Sequence, residues 1–368
     1  MANIVLYRKY RPSSFGEVVG QEHIVKTIKN AVAGNLISHA YLFSGPRGSG
    51  KTSLARLLAK AVNCENPKDG EPCNECSACQ EISGGRAMDL IEIDAASNRG
   101  IEEMRDLKEG IKFAPVKLKY KVFIIDEAHQ LSKDAANALL KTLEEPPAHA
   151  IFVLATTESH KMIPTIASRC QRFDFRKLTV QQMKGKLEEI AMTEKVNITL
   201  DALQLIALNS GGAMRDAISL LDRVITFYAG SRKKIDTDEV KALLGIVDLQ
   251  IVAEFAQLLG EKKAGGAVEF LNKNLEEGMD PHEFAKNVVE YLRHVMVLKI
   301  NPQLAEGLEA QYTPEQITKL KEQGNLFAPA ELPKIIERFL EAENKMKYAS
   351  IVQLPLELAT IESCLPKE

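Results

Sequence analysis

The eight residues Gly45-Pro46-Arg47-Gly48-Ser49-Gly50-Lys51-Thr52 constrain the fold of this chain more tightly than any other stretch of it. They fill the pattern G-x-x-x-x-G-K-[ST] completely. The apolar run Ala40-Tyr41-Leu42-Phe43 precedes them and the amphipathic stretch from Ser53 to Lys60 follows. A buried strand, a glycine loop and a helix start are the setting in which this pattern becomes a phosphate site. Glycine lets successive backbone N–H groups converge on phosphate oxygens, and the helix N-terminus adds partial positive charge. The set Gly45 through Ser53 is therefore expected to bind a nucleoside triphosphate. Lys51 would reach the β/γ phosphates, and the Thr52 hydroxyl would join the shell of a magnesium ion. The alternative, a chance match to a glycine turn, does not explain the flanks.

The rest of the N-terminal half repeats the alternation of strand and helix. Asp89-Leu90-Ile91-Glu92-Ile93-Asp94 reads as an alternating strand, Ile101 to Ile111 as a helix, and Lys121-Val122-Phe123-Ile124-Ile125 as a buried strand. Lys133 to Leu143 reads as a helix stopped by Pro146-Pro147, Ala150 to Ala155 as another buried strand, and Gln171 to Phe175 as an edge strand. Such alternation predicts an α/β fold with a parallel sheet and helices on both faces. From about Thr179 strand signals stop. Residues 179–242 then read as a small helical domain and 243–368 as an all-helical third domain, after an α/β domain over 1–178. Helix breaks are expected at Gly278-Met279-Asp280-Pro281 and Asn301-Pro302.

With 47 basic and 50 acidic residues the net charge is −3, so any nucleic-acid contact must come from a local patch; the basic run Arg232-Lys233-Lys234 lies near the end of the second domain. No apolar stretch reaches membrane-spanning length and the first residues lack a signal-peptide core, so a cytoplasmic protein without membrane contact is expected. Four of the six cysteines cluster: Cys64, Cys73, Cys76 and Cys79. Two overlapping C-x-x-C steps and a nearby fourth thiol suit a structural zinc ion, since four thiolates leave no open position for water. An iron–sulfur cluster is the alternative, and a reducing compartment disfavours disulfides. Cys170 and Cys364 read as ordinary thiols.

Further chemistry gathers at strand ends. Asp126 and Glu127 follow a buried strand; such an Asp can hold magnesium through water, and the Glu can orient or deprotonate an attacking water. Thr156-Thr157 closes the next strand, where the Thr157 hydroxyl could report a γ-phosphate; helix capping would explain the pair equally. Arg169, within Ser168-Arg169-Cys170, lies too far along the sheet to serve its own phosphates easily. In a ring of subunits it could enter a neighbour's site, a role worth roughly 10³–10⁵ in rate; a surface ion pair is the plain alternative. Arg215, in Gly211-Gly212-Ala213-Met214-Arg215-Asp216, opens a helix from which it could bend over bound nucleotide.

Taken in order, Gly45–Thr52, the four cysteines, Asp126-Glu127-Ala128-His129, Leu143-Glu144-Glu145-Pro146-Pro147, Ser168-Arg169-Cys170 and Gly212 to Asp216 resemble the gamma/tau motor subunits of bacterial DNA polymerase III clamp loaders, which are AAA+ ATPases. Tyr7-Arg8-Lys9-Tyr10-Arg11-Pro12 and Val18-Val19-Gly20-Gln21-Glu22-His23 strengthen the resemblance. It implies ATP with Mg²⁺ and Zn²⁺ as cofactors, and an arm whose Arg11, Pro12, Val18 and Val19 lie against adenine. It also implies a helical lid, and a C-terminal collar that assembles copies of the chain with delta- and delta-prime-type subunits. The implied action is the opening of a sliding clamp and its placement on primer–template DNA held by its backbone, with Arg99, Lys141 and Thr165 as candidate contacts. Rival readings are another AAA+ DNA motor, such as a branch-migration helicase, and a structural clamp-loader subunit. The intact Gly50-Lys51-Thr52 argues against the latter.

Overall fold

The computed structural model describes residues 5–97, 110–111, 113–229, 233–245, 248–307, 312–328 and 330–365. Arg99, Arg232 and most of the helix expected over 101–111 lie outside these. The chain divides into two compact units, Met1–Thr237 and Asp238–Glu368.

The first unit is built on five parallel strands: β1 (Ala40–Ser44), β2 (Leu90–Asp94), β3 (Lys121–Asp126), β4 (Ala150–Thr156) and β5 (Gln171–Asp174). They lie in the order β2-β3-β4-β1-β5. The near-continuous apolar runs of β1, β3 and β4 are explained by this order, because the central strands are covered on both faces. Alternation splits each of them. Tyr41, Phe43, Val122, Ile124, Ile151 and Val153 point to one core with Leu54, Leu58, Ile24 and Ile28, from the helices Lys51–Val62 and Glu22–Ala33. Leu42, Phe123, Ile125, Phe152 and Leu154 point to the other, against Ala135, Leu139 and Leu143 of the helix Lys133–Glu144. The edge strand β2 is only partly buried, which matches its alternating sequence.

Register aligns the carboxyl ends of the strands on one rim. Ser44 pairs with Thr156, and Asp94 with Asp126, so the loops that leave β1, β3 and β4 emerge together. Ligands bind at such a rim in open α/β sheets. Three helices follow the sheet within the same unit: Val180–Thr193, Leu200–Leu208 and Met214–Phe227. Thr179 and Gln182 form a reciprocal capping box that fixes where the first begins. Leu178 N–H donates to Gly212 O at 3.1 Å and ties the last helix's entrance to the end of the sheet. Gly212 has φ +85°, and a Cβ there would lie 2.9 Å from Lys177 Cβ, so this corner needs glycine.

Among the described residues the second unit is helical, without strands, around Phe255, Phe284 and Phe339, whose rings meet edge to face. Its helix limits follow the sequence breaks. Pro281–Ile300 starts after the cap Asp280, whose carboxylate accepts from Glu283 N–H, and stops before Asn301-Pro302. No single described helix is long and apolar enough to cross a membrane.

Candidate functional site

The β1–helix loop turns on glycine geometry. Gly45, Gly48 and Gly50 have φ of +151°, +74° and +100°. A Cβ on Gly45 would come within 2.6 Å of Phe175 O, and one on Gly48 within 2.6 Å of Ala213 Cβ. The loop is thus seated between the β5 exit and the lid entrance. Gln21, fully buried, strengthens that seat: its amide donates to Arg176 O at 2.8 Å and its carbonyl accepts from Arg176 N–H at 3.2 Å.

Lys51, 6% exposed, folds back so that Nζ donates to Gly45 O at 2.7 Å and Pro46 O at 2.8 Å. Burial pushes its amine below the ordinary 10.5, against the opposing pull of Glu127 and Asp126. Thr52 Oγ1 donates to Asp126 Oδ2 at 2.7 Å. A hydroxyl and a carboxylate held this close are hard oxygen donors of the kind magnesium takes. Glu127, next along, sits in the left-handed region at φ +47°, ψ +44°. That conformation is uncommon outside glycine and concentrates at functional sites. Its Oε2 accepts from Thr157 Oγ1 at 2.8 Å.

A cleft of about 1140 Å³, measured to its open mouth, brings these groups together with the N-terminal arm and the lid. Of the residues singled out in the sequence, Arg11, Pro12, Val18, Val19, Arg47 to Ser53, Asp126, Glu127 and Arg215 line it. Gly45 and Pro46 do not, and serve through their carbonyls on Lys51. Nor does Thr157, whose hydroxyl donates to Glu127. Arg215 stacks its guanidinium 4.8 Å from the centre of the Tyr7 ring, and hydrogen bonding to Arg215, then Arg8, holds that phenol below its ordinary value. Arg169 stands apart from the cleft, donating to Thr165 O at 2.8 Å and Glu144 Oε1 at 2.6 Å. Lys141 and Thr165 are exposed.

The arm is anchored to the lid. Leu6 N–H donates to Asp222 Oδ2 at 3.1 Å, and Lys9 and the Tyr10 hydroxyl both bond Glu194. Tyr7, Tyr10, Leu178, Lys186, Met214 and Ile218 also line the cleft and were not singled out as site residues. Met214 and Ile218 share a helix face at spacing i, i+4, a signal too common to mark a site.

The four clustered cysteines lie outside the cleft. They are unpaired, and their sulfurs all fall within 4.8 Å of one another. Cys73 N–H donates to Cys64 Sγ at 3.2 Å and Cys76 N–H to Cys73 Sγ at 3.3 Å. Backbone donors from Glu75 and Cys76 pull the Cys73 thiol down to about 6, so a thiolate is already favoured. A closed set of four sulfurs fits a tetrahedral thiophilic ion.

Comparison with known proteins decides the family. The family model "DNA polymerase III, delta subunit" matches residues 20–179, the clamp loader subunit ATPase lid domain 182–230, and "DNA polymerase III subunits gamma and tau domain III" 235–367. The gamma subunit of Buchnera aphidicola (strain Sg) is 37% identical over 88% of this chain and 88% of its own length. The chain belongs to the gamma/tau family of DNA polymerase III subunits. The tau subunit of Bacillus subtilis is 45% identical and that of Escherichia coli 36%, each over 99% of this chain. This gamma/tau family member spans 64% and 55% of the lengths of those two relatives. Among solved structures, Thermotoga maritima RuvB, a Holliday junction branch migration motor, matches with a TM-score of 0.50 at 24% identity, covering 68% of this chain and 79% of its own. That likeness shows a fold shared over about two thirds of this chain.

Proposed function

We propose that this chain is an ATP-hydrolysing motor subunit of a DNA-replication clamp loader, which opens a sliding clamp and loads it on primer–template DNA. The observation that carries the reading is the cleft: loop, acidic pair, arm and lid converge on one volume in a gamma/tau family chain. On this reading the domains are 1–178, 179–242 and 243–368, the last a collar that joins copies of the chain and delta- and delta-prime-type subunits.

The triphosphate would sit on the N–H groups of Gly48 to Thr52, with Lys51 leaving its loop carbonyls for the β/γ oxygens. Arg11, Pro12, Val18 and Val19 would enclose the base. Magnesium, held by Thr52 and by Asp126 through water, would neutralise phosphate charge. Glu127 would orient or deprotonate the attacking water, and Thr157 would meet the γ-phosphate. Arg215 would close the lid over the nucleotide, and Arg169 would act on the neighbouring subunit's site. Its place outside its own cleft supports that role. Zinc on Cys64, Cys73, Cys76 and Cys79 would brace the insertion. DNA would be gripped through phosphates rather than read by sequence, with Lys141 and Thr165 as candidate contacts.

ATP turnover measured with and without primed DNA and sliding clamp tests the whole reading. A loader is stimulated most by both together. Turnover indifferent to the clamp would instead favour a branch-migration type of motor.

A further inference from the structure

Of Asp126-Glu127-Ala128-His129, His129 is the one polar member left without a part in the chemistry. It does not line the cleft, and its side chain is only 6% exposed. Its Nδ1 lies 3.0 Å from Thr156 Oγ1 and 3.5 Å from Glu127 Oε2, and its Nε2 lies 3.4 Å from Glu158 Oε1. The ring thus stands between two carboxylates, one from the exit of β3 and one from the exit of β4. Thr156, itself fully buried, is held by its neighbour, since Glu158 N–H donates to Thr156 Oγ1 at 3.0 Å. The same Glu127 oxygen that faces Nδ1 also accepts from Thr157 Oγ1.

We infer that His129 is a positioning residue for Glu127: Nδ1, fixed by Thr156, bounds the arc through which the Glu127 carboxylate swings when Thr157 lets it go. This rests on the reading of Glu127 as the group that orients the attacking water. Thr157 cannot serve a γ-phosphate and keep its hydroxyl proton on Glu127, because one hydroxyl has one proton to donate. When the nucleotide takes that hydrogen bond, the Thr157 N–H at 3.4 Å and His129 are the polar neighbours left at Oε2, and His129 is the side chain among them that keeps the carboxylate from collapsing toward β4. Glu158, with Lys161 Nζ at 2.6 Å from Oε2 and His160 at 3.6 Å, secures the far side of the ring.

The test uses three substitutions of His129 in the full chain, within the assembled complex that turns over ATP. His129→Asn sets an amide near the Nδ1 position, His129→Gln sets one near the Nε2 position, and His129→Leu fills the volume with no polar atom. The expected result is kcat within about threefold of wild type for His129→Asn and about 10²-fold lower for the other two, the scale of a 1 Å misplacement. KM for ATP and the thermal midpoint should be similar in all three. Equal kcat in the Asn and Gln variants, high or low, would overturn the inference. So would losses that fall on KM. Glu127→Gln is measured alongside: if it turns over normally, the role of Glu127 is wrong. If it is inactive while His129→Leu is normal, only the role of His129 is wrong.

Discussion

At the scale of single residues, two buried charges show how local geometry sets behaviour. Lys51 is satisfied by its own loop, so on the proposed reading phosphate would replace two carbonyl contacts with stronger ion-pair hydrogen bonds. Lys51→Ala should weaken ATP binding by at least about 10²-fold, on the scale of a hydrogen bond to a charged group, about 1.5–3 kcal/mol, plus lost Coulomb attraction. Titration calorimetry checks this, and near-normal affinity would remove Lys51 from the site. Asp89 is a structural counterpart that the sequence shows only as a strand's first residue. It is 1% exposed, and its carboxylate accepts from the N–H groups of Val116, Lys117 and Leu118 at 2.8, 2.8 and 2.9 Å. Burial alone would raise its pKa, but these donors and Lys121 hold it below the ordinary 3.8. A carboxylate depressed on folding stabilises above its unfolded value, and the gain vanishes as pH falls through the folded one. Asp89→Ala should therefore cost about 2–3 kcal/mol near neutrality by stranding three donors. The gap to wild type should narrow below about pH 3.8. Denaturant melts at pH 7 and pH 3 would show it.

At the scale of elements, what the sequence makes legible is what repeats along it. The central strands are legible because burial on both faces demands continuous apolar runs, and helix starts because Thr179, Asp280 and Thr313 cap them. The glycine loop is legible because no other residue fits Gly45 or Gly48. Contacts between distant segments are not legible in this way. Nothing in the spacing of Tyr7, Gln21, Leu178 or Met214 shows that they share one cleft or one anchor, since folding alone brings them together. The same holds for the chain of contacts from Glu127 through His129 to Glu158. The cysteine insertion lies between these cases, local enough to read and too small for a core of its own. Its stability should then depend on the ion. Purified protein should contain about one zinc per chain. Cys79→Ser, at a buried position, should lose the metal and lower the melting temperature. ATP affinity should change little, because the insertion does not line the cleft. Iron in the elemental analysis, or a Cys79→Ser protein that melts like wild type, would contradict this.

At the scale of the whole molecule the question is what the proposed role of Arg169 in a neighbour's site requires of its own chain. Within one chain it spends its guanidinium on Glu144 and the Thr165 carbonyl. Both side chains are substantially exposed, and such a pair is worth only about 0–1 kcal/mol. A triphosphate at a neighbour's cleft would offer far more charge, so on the proposed reading the pair would be exchanged when subunits meet. On the proposed reading, hydrolysis at the seam would make turnover a report on assembly: a lone chain would bind fuel and spend it only slowly. Arg169→Ala should leave the chain's own ATP affinity within about twofold, while turnover by the assembled complex falls by roughly 10³ or more. Glu144→Gln, which removes only the resting partner, should stay close to wild type. Mixing Arg169→Ala chains with Lys51→Ala chains sharpens the test. In a mixed assembly one class of interface pairs an intact cleft with an intact arginine, so some turnover returns although neither variant has it alone. No recovery in such mixtures, with nucleotide binding by the Arg169→Ala chains intact, would mean that the arginine acts within its own subunit or not at all.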